Sequence, residues 1–370
     1  MEKIKNFIKK EAVFSIAALA AAISAIFVPP SKNYIGYINF SVLGLLFALM
    51  CVVKGLSRLN VLNKTAELLI KKTGSLRSLA IVLWVLCFIS AMLITNDVAL
   101  ITFVPLAAAL LQTVHKEKYI IPTIVLQTVA ANLGSMLTPM GNPQNLYIYE
   151  HYGLSIGEFF ALTLPCTVLG FVLLLIASFI MIKNDTLNVS VEKTSIKGGK
   201  MLVLYCILGV LCLLSVLKKV DYRITVLAVF ISLVITDRPA LLGIDWFLLL
   251  TFVMFFIFVG NLAATENIKN FISGIINGRE CIFAILISQV ISNVPCAAML
   301  SGFTDNYRAL LLGCDVGGLG TLVASLASLI SYRLYTAECE NADKKTYLLC
   351  FTAVNVIFLI PLTILALVIL

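Results

Sequence analysis

The sequence predicts an all-α polytopic membrane protein, with two inverted repeats carrying about nine full spans, two re-entrant hairpins and two discontinuous helices. Three observations predict it. Of 370 residues, 61% are apolar and only 12% charged, against roughly 45–50% and about 25% in soluble proteins. The longest polar run, Lys183 to Lys200, falls far short of the roughly 50 residues of a small domain. One order of elements also occurs twice, each time with polar or Gly- and Pro-rich interruptions inside apolar segments. These features exclude a water-soluble enzyme, and no Walker A pattern supports a nucleotide-driven pump.

The first repeat is read over 1–182. Lys3, Lys5, Lys9 and Lys10 precede an apolar run taken as the first span, 12–29, because it is longer than the core of a cleavable leader and many spans follow. A second span covers 37–53. Segment 54–73 mixes Leu and Ile with Arg58, Lys64, Glu67, Lys71 and Lys72, which suits an interfacial amphipathic helix. The run 79–114 is too long for one crossing at about 1.5 Å per residue. It is interrupted by Thr95-Asn96-Asp97 and flanked by Arg77, Lys116 and Lys118, so it reads as a hairpin with both mouths on one side. Segment 119–151 breaks between Ala131 and Asn145, where Gly134, Pro139, Gly141 and Pro143 free backbone groups. Such backbone must be buried in protein or line a cavity. Span 157–182 closes the repeat, and 183–200 is a cytoplasmic linker.

The second repeat, 201–370, opens with spans 201–217, 223–235 and 246–263. An amphipathic helix, 265–279, leads into a hairpin over 281–303, interrupted by Ser292-Asn293 and Pro295. A broken helix over 307–335 contains the Gly-rich stretch Gly313 to Thr321, and span 346–370 ends the chain. Asn96 pairs with Asn293 at an offset of 197, while Asn132, Gly134 and Thr138 pair with Asp315, Gly317 and Thr321 at 183. Two spans precede the first hairpin unit and three separate the linker from the second, which turns the second repeat upside down. With the N-terminus inside and the C-terminus outside, the cytoplasmic face of the plasma membrane receives 20 of the 27 Lys and Arg residues.

The net charge of +8 therefore orients the chain in the bilayer and does not indicate nucleic acid. Ten cysteines, mostly within apolar runs and without a CxxC pair, suggest neither disulfides nor zinc. His115 and His151 are too few for a histidine metal cluster. No cofactor is expected beyond sodium ions or protons as coupling ions.

Inverted repeats with discontinuous helices place an ion or substrate site at mid-bilayer. The candidates are Thr95, Asn96 and Asp97 at the first tip, and Ser292 and Asn293 at the second. The breaks add Asn132, Gly134, Thr138, Gly141, Asn142 and Asn145, then Asp315, Gly317, Gly318, Thr321 and Ser325. A carboxylate at such depth costs at least about 2.5 kcal/mol. Asp97 and Asp315 thus read as ion ligands or proton carriers, or as caps of the helices they precede. The Asn residues could equally hydrogen-bond across helices, and the glycines could serve close packing.

The runs Ser90 to Pro105, Ala131 to Asn145 and Ser288 to Pro295 resemble the ion transporter superfamily of divalent-anion/sodium symporters, citrate transporters, arsenite permeases and sodium/proton antiporters. In the dicarboxylate branch each tip carries Ser-Asn-Thr, which binds sodium and substrate carboxylate. The resemblance implies such a role for Thr95, Asn96, Ser292 and Asn293, and possible sodium sites at Thr95, Asn96, Gly141, Ser292 and Asn293. Asp97 and Val294 depart from that pattern, as does the stretch Thr321 to Ser328, which lacks the Pro-Asn character of Thr138 to Asn145. The resemblance also implies a homodimer in the bilayer with an elevator-like motion. The expected function is secondary active transport of a small carboxylate or oxyanion, coupled to sodium or protons, by alternating access. The alternative is a sodium/proton antiporter, favoured by Asp97 and Asp315 and by the lack of Arg or Lys in the site motifs.

Overall fold

The structure, a computed structural model, describes residues 11–187, 194–196 and 198–370. Lys3, Lys5, Lys9 and Lys10, and much of the linker 183–200, lie outside the described residues. Those described form nineteen α-helices and one 3-10 turn, with no strand beyond an isolated bridge between Ser75 and Thr186.

In the first half, α1 (Ala12–Phe27) is followed by α2 (Asn33–Tyr37), α3 (Phe40–Arg58) and α4 (Val61–Ile70). Next come α5 (Leu76–Leu93), α6 (Asn96–Thr113), α7 (Ile120–Ser135), α8 (Pro143–His151) and α9 (Ile156–Met181). The second half contains α10 (Gly199–Val216), α11 (Tyr222–Thr236), α12 (Arg238–Leu242), α13 (Trp246–Ala263) and α14 (Glu266–Ile276). It ends with α15 (Glu280–Ile291), α16 (Asn293–Leu300), α17 (Tyr307–Gly317), α18 (Leu326–Glu338) and α19 (Lys344–Ile369).

Polar residues set the boundaries. Asn39 accepts from Val42 N at the start of α3, Ser75 and Ser78 form a reciprocal cap on α5, and Ser155 with Glu158 does the same for α9. The second span begins at Phe40, not 37, and runs on through Lys54 to Arg58, because Arg58 is held by Asp237. Asn60, at φ +61°, ends that helix, so the amphipathic segment expected over 54–73 shrinks to α4. There Glu67 is only 2% exposed and accepts from Lys64 at 2.8 Å, from Lys71 and from the Thr194 N–H at 2.7 Å.

Seven described helices are long and apolar enough to cross a membrane: α3, α5, α6, α9, α10, α13 and α19. The expected spans 12–29 and 223–235 correspond to helices of 16 and 15 residues, about 24 and 22 Å long at about 1.5 Å per residue against a hydrocarbon core of about 30 Å. α14 and α15 meet at 104°. The arms α5 and α6 each have 18 residues, whereas α16 has only eight.

The packing of the two halves follows one pattern. α5 lies along α7, and α15 along α17; α6 packs on α18, and α16 on α8. The second arm of each helical pair therefore reaches across to the opposite half. One apolar core surrounds α5, α6 and α7, where Trp84 donates to Ser178 Oγ at 2.8 Å. The other joins α3, α8, α10, α13 and α16. Ile180, Ile235 and Val368 are among many large apolar side chains left exposed on the outer helices, as lipid-facing surfaces require.

Candidate functional site

Four interrupted segments supply the polar groups in the interior: the junctions α5–α6 and α15–α16, and the breaks α7–α8 and α17–α18. Freed backbone groups in an apolar interior need partners, and the chain provides them locally. The Asn96 N–H donates to Gly141 O at 3.2 Å, and the Asn293 N–H to Ala324 O at 3.0 Å. Thr138 Oγ1 donates to Met92 O at 2.5 Å, and Thr321 Oγ1 to Gln289 O at 2.9 Å. In both cases the partners in the second half lie 183 and 197 positions beyond those in the first. A Cβ on Gly134 would come within 2.1 Å of Phe88 O, and one on Gly317 within 3.0 Å of Ile285 Cα. Small residues let the backbones touch there.

Asn132, 5% exposed, joins the halves. Its Oδ1 accepts from Asn96 Nδ2 at 3.2 Å and from Ser325 Oγ at 3.1 Å, while its Nδ2 donates to Gly318 O at 3.4 Å and Ser328 Oγ at 3.5 Å. The first tip, the first break and the second break thus meet on one carboxamide. Asn293 lies beside the same place, its Nδ2 facing Gly318. Ser292 is held at φ +76°, a conformation costly for a residue with a Cβ, and donates weakly to Ala324 O at 3.4 Å. Thr95 is extended.

The other candidates divide by role. Asn142 caps α8 by accepting from Asn145 N at 3.0 Å and donates to Ser135 Oγ at 3.0 Å. Asn145 Nδ2 donates to the Ser135 and Met136 carbonyls at 3.2 and 3.3 Å, so both side chains staple the first break. Gly141 turns beside Ser135, where a Cβ would meet a carbonyl at 2.3 Å. Thr138 and Thr321 commit their hydroxyls to backbone. Asp315 is buried with the amides of Asn142, Gln144 and Asn145 nearest it. Neither Asp97 nor Asp315 accepts a hydrogen bond from a helix-end N–H among the described residues, so the expected capping role is not the one adopted.

Two adjoining cavities, of about 190 and 230 Å³, share Asp97, Asp245, Leu248 and Ile330. The first also touches Thr95, Asn142, Pro143 and Lys54; the second touches Val294, Pro295, Glu11 and Arg333. Sequence reasoning missed Lys54, Arg333 and Asp245 because all three lie outside the interrupted motifs. It missed Gln289 as well. That side chain donates to Gly317 O at 2.9 Å and Leu319 O at 3.0 Å and accepts from Thr321 N at 2.9 Å, closing the second break as Asn142 and Asn145 close the first. A glutamine one turn before a tip was the available signal.

Comparison with known proteins gives a consistent picture. A family model described as citrate transporter matches residues 3–310. An uncharacterised transporter of Methanocaldococcus jannaschii is 32% identical over 290 residues, 78% of this chain and 79% of its own length. The inner membrane protein YbiR of Escherichia coli is 28% identical over 328 residues, 87% of each chain. The silicon efflux transporter LSI3 of Oryza sativa is 28% identical over 155 residues, 42% of this chain and 32% of its own.

Proposed function

Because the chain belongs to the citrate transporter family, and is a membrane transporter rather than an enzyme, we propose that it moves a small carboxylate or oxyanion by secondary active transport, coupled to sodium or protons. The site is the meeting point of the two tips and two breaks at mid-bilayer. The observation that carries this reading is the Asn132 carboxamide, bonded at once to Asn96 and Ser325 from opposite halves of the chain. A cargo lodged there is touched by both halves, and alternating access needs such a shared point.

Recurrence of the tip-to-break contacts at fixed offsets supports two repeats of one unit, with α5–α6 and α15–α16 as their re-entrant hairpins. Sodium is assigned to Thr95, Asn96, Gly141, Ser292 and Asn293. Lys54 and Arg333 favour an anionic cargo, since each lines a cavity beside a tip and neither has a carboxylate within ion-pair distance among the described residues. The citrate description of the family supports the carboxylate class of cargo. The charge bias supports an N-terminus on the cytoplasmic side, and the functional unit is a homodimer.

Proteoliposome uptake of labelled citrate, succinate and arsenite, with imposed sodium and pH gradients, tests this. Gradient-dependent accumulation of one of them is expected. Asp97 and Asp245 on one cavity wall favour a second reading, a sodium/proton antiporter. Sodium-driven pH change without anion accumulation would establish that reading and remove the first.

A further inference from the structure

We propose that the groove between α3, α11 and α13 binds one anionic phospholipid, with an acyl chain along the groove and the phosphate on the Arg223 guanidinium. The proposal goes beyond the transport reading and needs only that the chain lies in a bilayer. α11 and α13 both pack on α3, and the three helices line an open groove of about 910 Å3. Each helix contributes positions i, i+3, i+4 and i+7 of one face, counted from Phe40 on α3, from Arg223 on α11 and from Trp246 on α13. Two turns of each helix therefore form one strip. Its lining is apolar apart from Arg223, the Tyr222 hydroxyl and the Trp246 indole N–H.

Depth fits an acyl chain. The connection Lys218-Lys219-Val220-Asp221 joins two apolar helices, α10 and α11, so it belongs at headgroup level. Arg223 follows it by two residues. From Arg223 to Phe230 the helix descends about 10 Å at about 1.5 Å per residue, within the roughly 15 Å that one leaflet contributes to a hydrocarbon core of about 30 Å. The groove thus starts at a cation beside the headgroups and stays within a single leaflet.

Arg223 has donors to spare. It is exposed, and Asp221 accepts from its backbone N–H at 2.8 Å, which caps α11. Its Nε donates weakly to the Tyr222 hydroxyl at 3.4 Å, and no carboxylate lies within ion-pair distance of the guanidinium among the described residues. A planar fork of N–H donors suits a phosphate. A zwitterionic headgroup brings its own cation to the same place, so a net negative one is favoured. An apolar helix of a second copy laid in the groove would cover the guanidinium without a counter-charge, which is disfavoured.

The site also adjoins the interior cavities. Leu43 and Phe47 of α3 line the groove, while Leu46 and Met50 of the same helix line the cavity that holds Asp97. On α13, Leu249 faces the groove, and Leu248 and the preceding Asp245 face the cavity. A seated lipid therefore rests against helices that wall the cavity.

The chain has two tryptophans, Trp84 at 0% exposed in the core and Trp246 at 42% exposed in the groove. Contact quenching therefore reports on the groove. The purified full-length chain is reconstituted in dioleoylphosphatidylcholine vesicles with increasing phosphatidylglycerol brominated midway along its acyl chains, and brominated phosphatidylcholine serves as reference. Quenching is expected to reach its half-maximum at a several-fold lower mole fraction of the brominated phosphatidylglycerol. Arg223→Gln should make the two lipids equal, and Trp246→Phe should remove the lipid-sensitive fluorescence. Equal quenching by both lipids in the wild type, a preference that survives Arg223→Gln, or lipid-sensitive fluorescence that survives Trp246→Phe overturns the proposal. So does a wild type that neither lipid quenches, which would mean that something other than an acyl chain, such as a second copy, covers the groove. Cargo plays no part in the measurement, so the transporter reading stands or falls separately.

Discussion

Asn132 Oδ1 accepts from Asn96 Nδ2 at 3.2 Å, and the same oxygen accepts from Ser325 Oγ at 3.1 Å. One side chain in the first break therefore fixes the first tip and the second break together. Replacing Asn132 by Ala leaves two buried donors unpaired, at about 1–3 kcal/mol each. Transport should fall at least tenfold, and the melting temperature should drop. Wild-type uptake in Asn132→Ala would remove this contact from the transport cycle.

Gln289 holds three backbone groups of the second break. Gln289→Leu should destabilise the chain by several kcal/mol at about 1–3 kcal/mol for each orphaned group. Gln289→Glu keeps the acceptor for Thr321 N but loses both donors, so an intermediate melting temperature is expected. Equal melting of Gln289→Leu and wild type would show that the break is held by other means.

The close approaches at Gly134 and Gly317 differ in kind. A Cβ at Gly134 meets the Phe88 carbonyl at 2.1 Å, which only a backbone shift can relieve, whereas one at Gly317 first meets Ser288 Oγ at 2.9 Å. Gly134→Ala should abolish the folded fraction in a detergent-solubility assay, and Gly317→Ala should reduce it by a smaller factor. A reversed order contradicts the geometry.

Glu67 stands on α4, outside the membrane-spanning segments, and its carboxyl is pushed down to about 2 by hydrogen bonds from Lys64 and Lys71 and from the Thr194 N–H. A lowered value means that the ionised form is stabilised by folding. The stability gain is therefore present above the ordinary value of 4.5 and is lost as pH falls towards 2. Glu67→Gln should melt below wild type at neutral pH, with the gap closing between those limits. A gap independent of pH would show that the carboxylate charge does not matter.

Lys54 and Arg333 line the cavities on either side of Asp97 and Asp245. If they attract an anion, Lys54→Gln and Arg333→Gln should each raise KM severalfold and weaken its dependence on ionic strength, since exposed charges act over about 10 Å at 0.1 M salt. An unchanged KM in both variants favours the antiporter over the anion carrier.

Much of the arrangement was legible in the chain itself. The interruptions at Asn96, Asn132, Asn293 and Gly318 stand out because polar or glycine residues inside long apolar runs cannot face lipid, and the structure brings them together. Thr138 and Thr321 stood out equally, yet their hydroxyls bond backbone carbonyls at Met92 and Gln289. Lys54, Arg333 and Asp245 did not stand out at all, because a charge near the end of an apolar segment looks the same whether it meets solvent or a cavity.

Composition and the spacing of interruptions determined that the chain lives in a bilayer and where its helices break, because hydropathy and helix-breaking chemistry act within a few residues of one another. Tertiary structure alone decided which polar atoms find partners and which do not. The amides of Asn142, Gln144 and Asn145 lie nearest the buried carboxyl of Asp315 only because residues 170 positions apart in the chain are packed against each other. Hydrogen-bond satisfaction belongs to that packing and not to any local pattern.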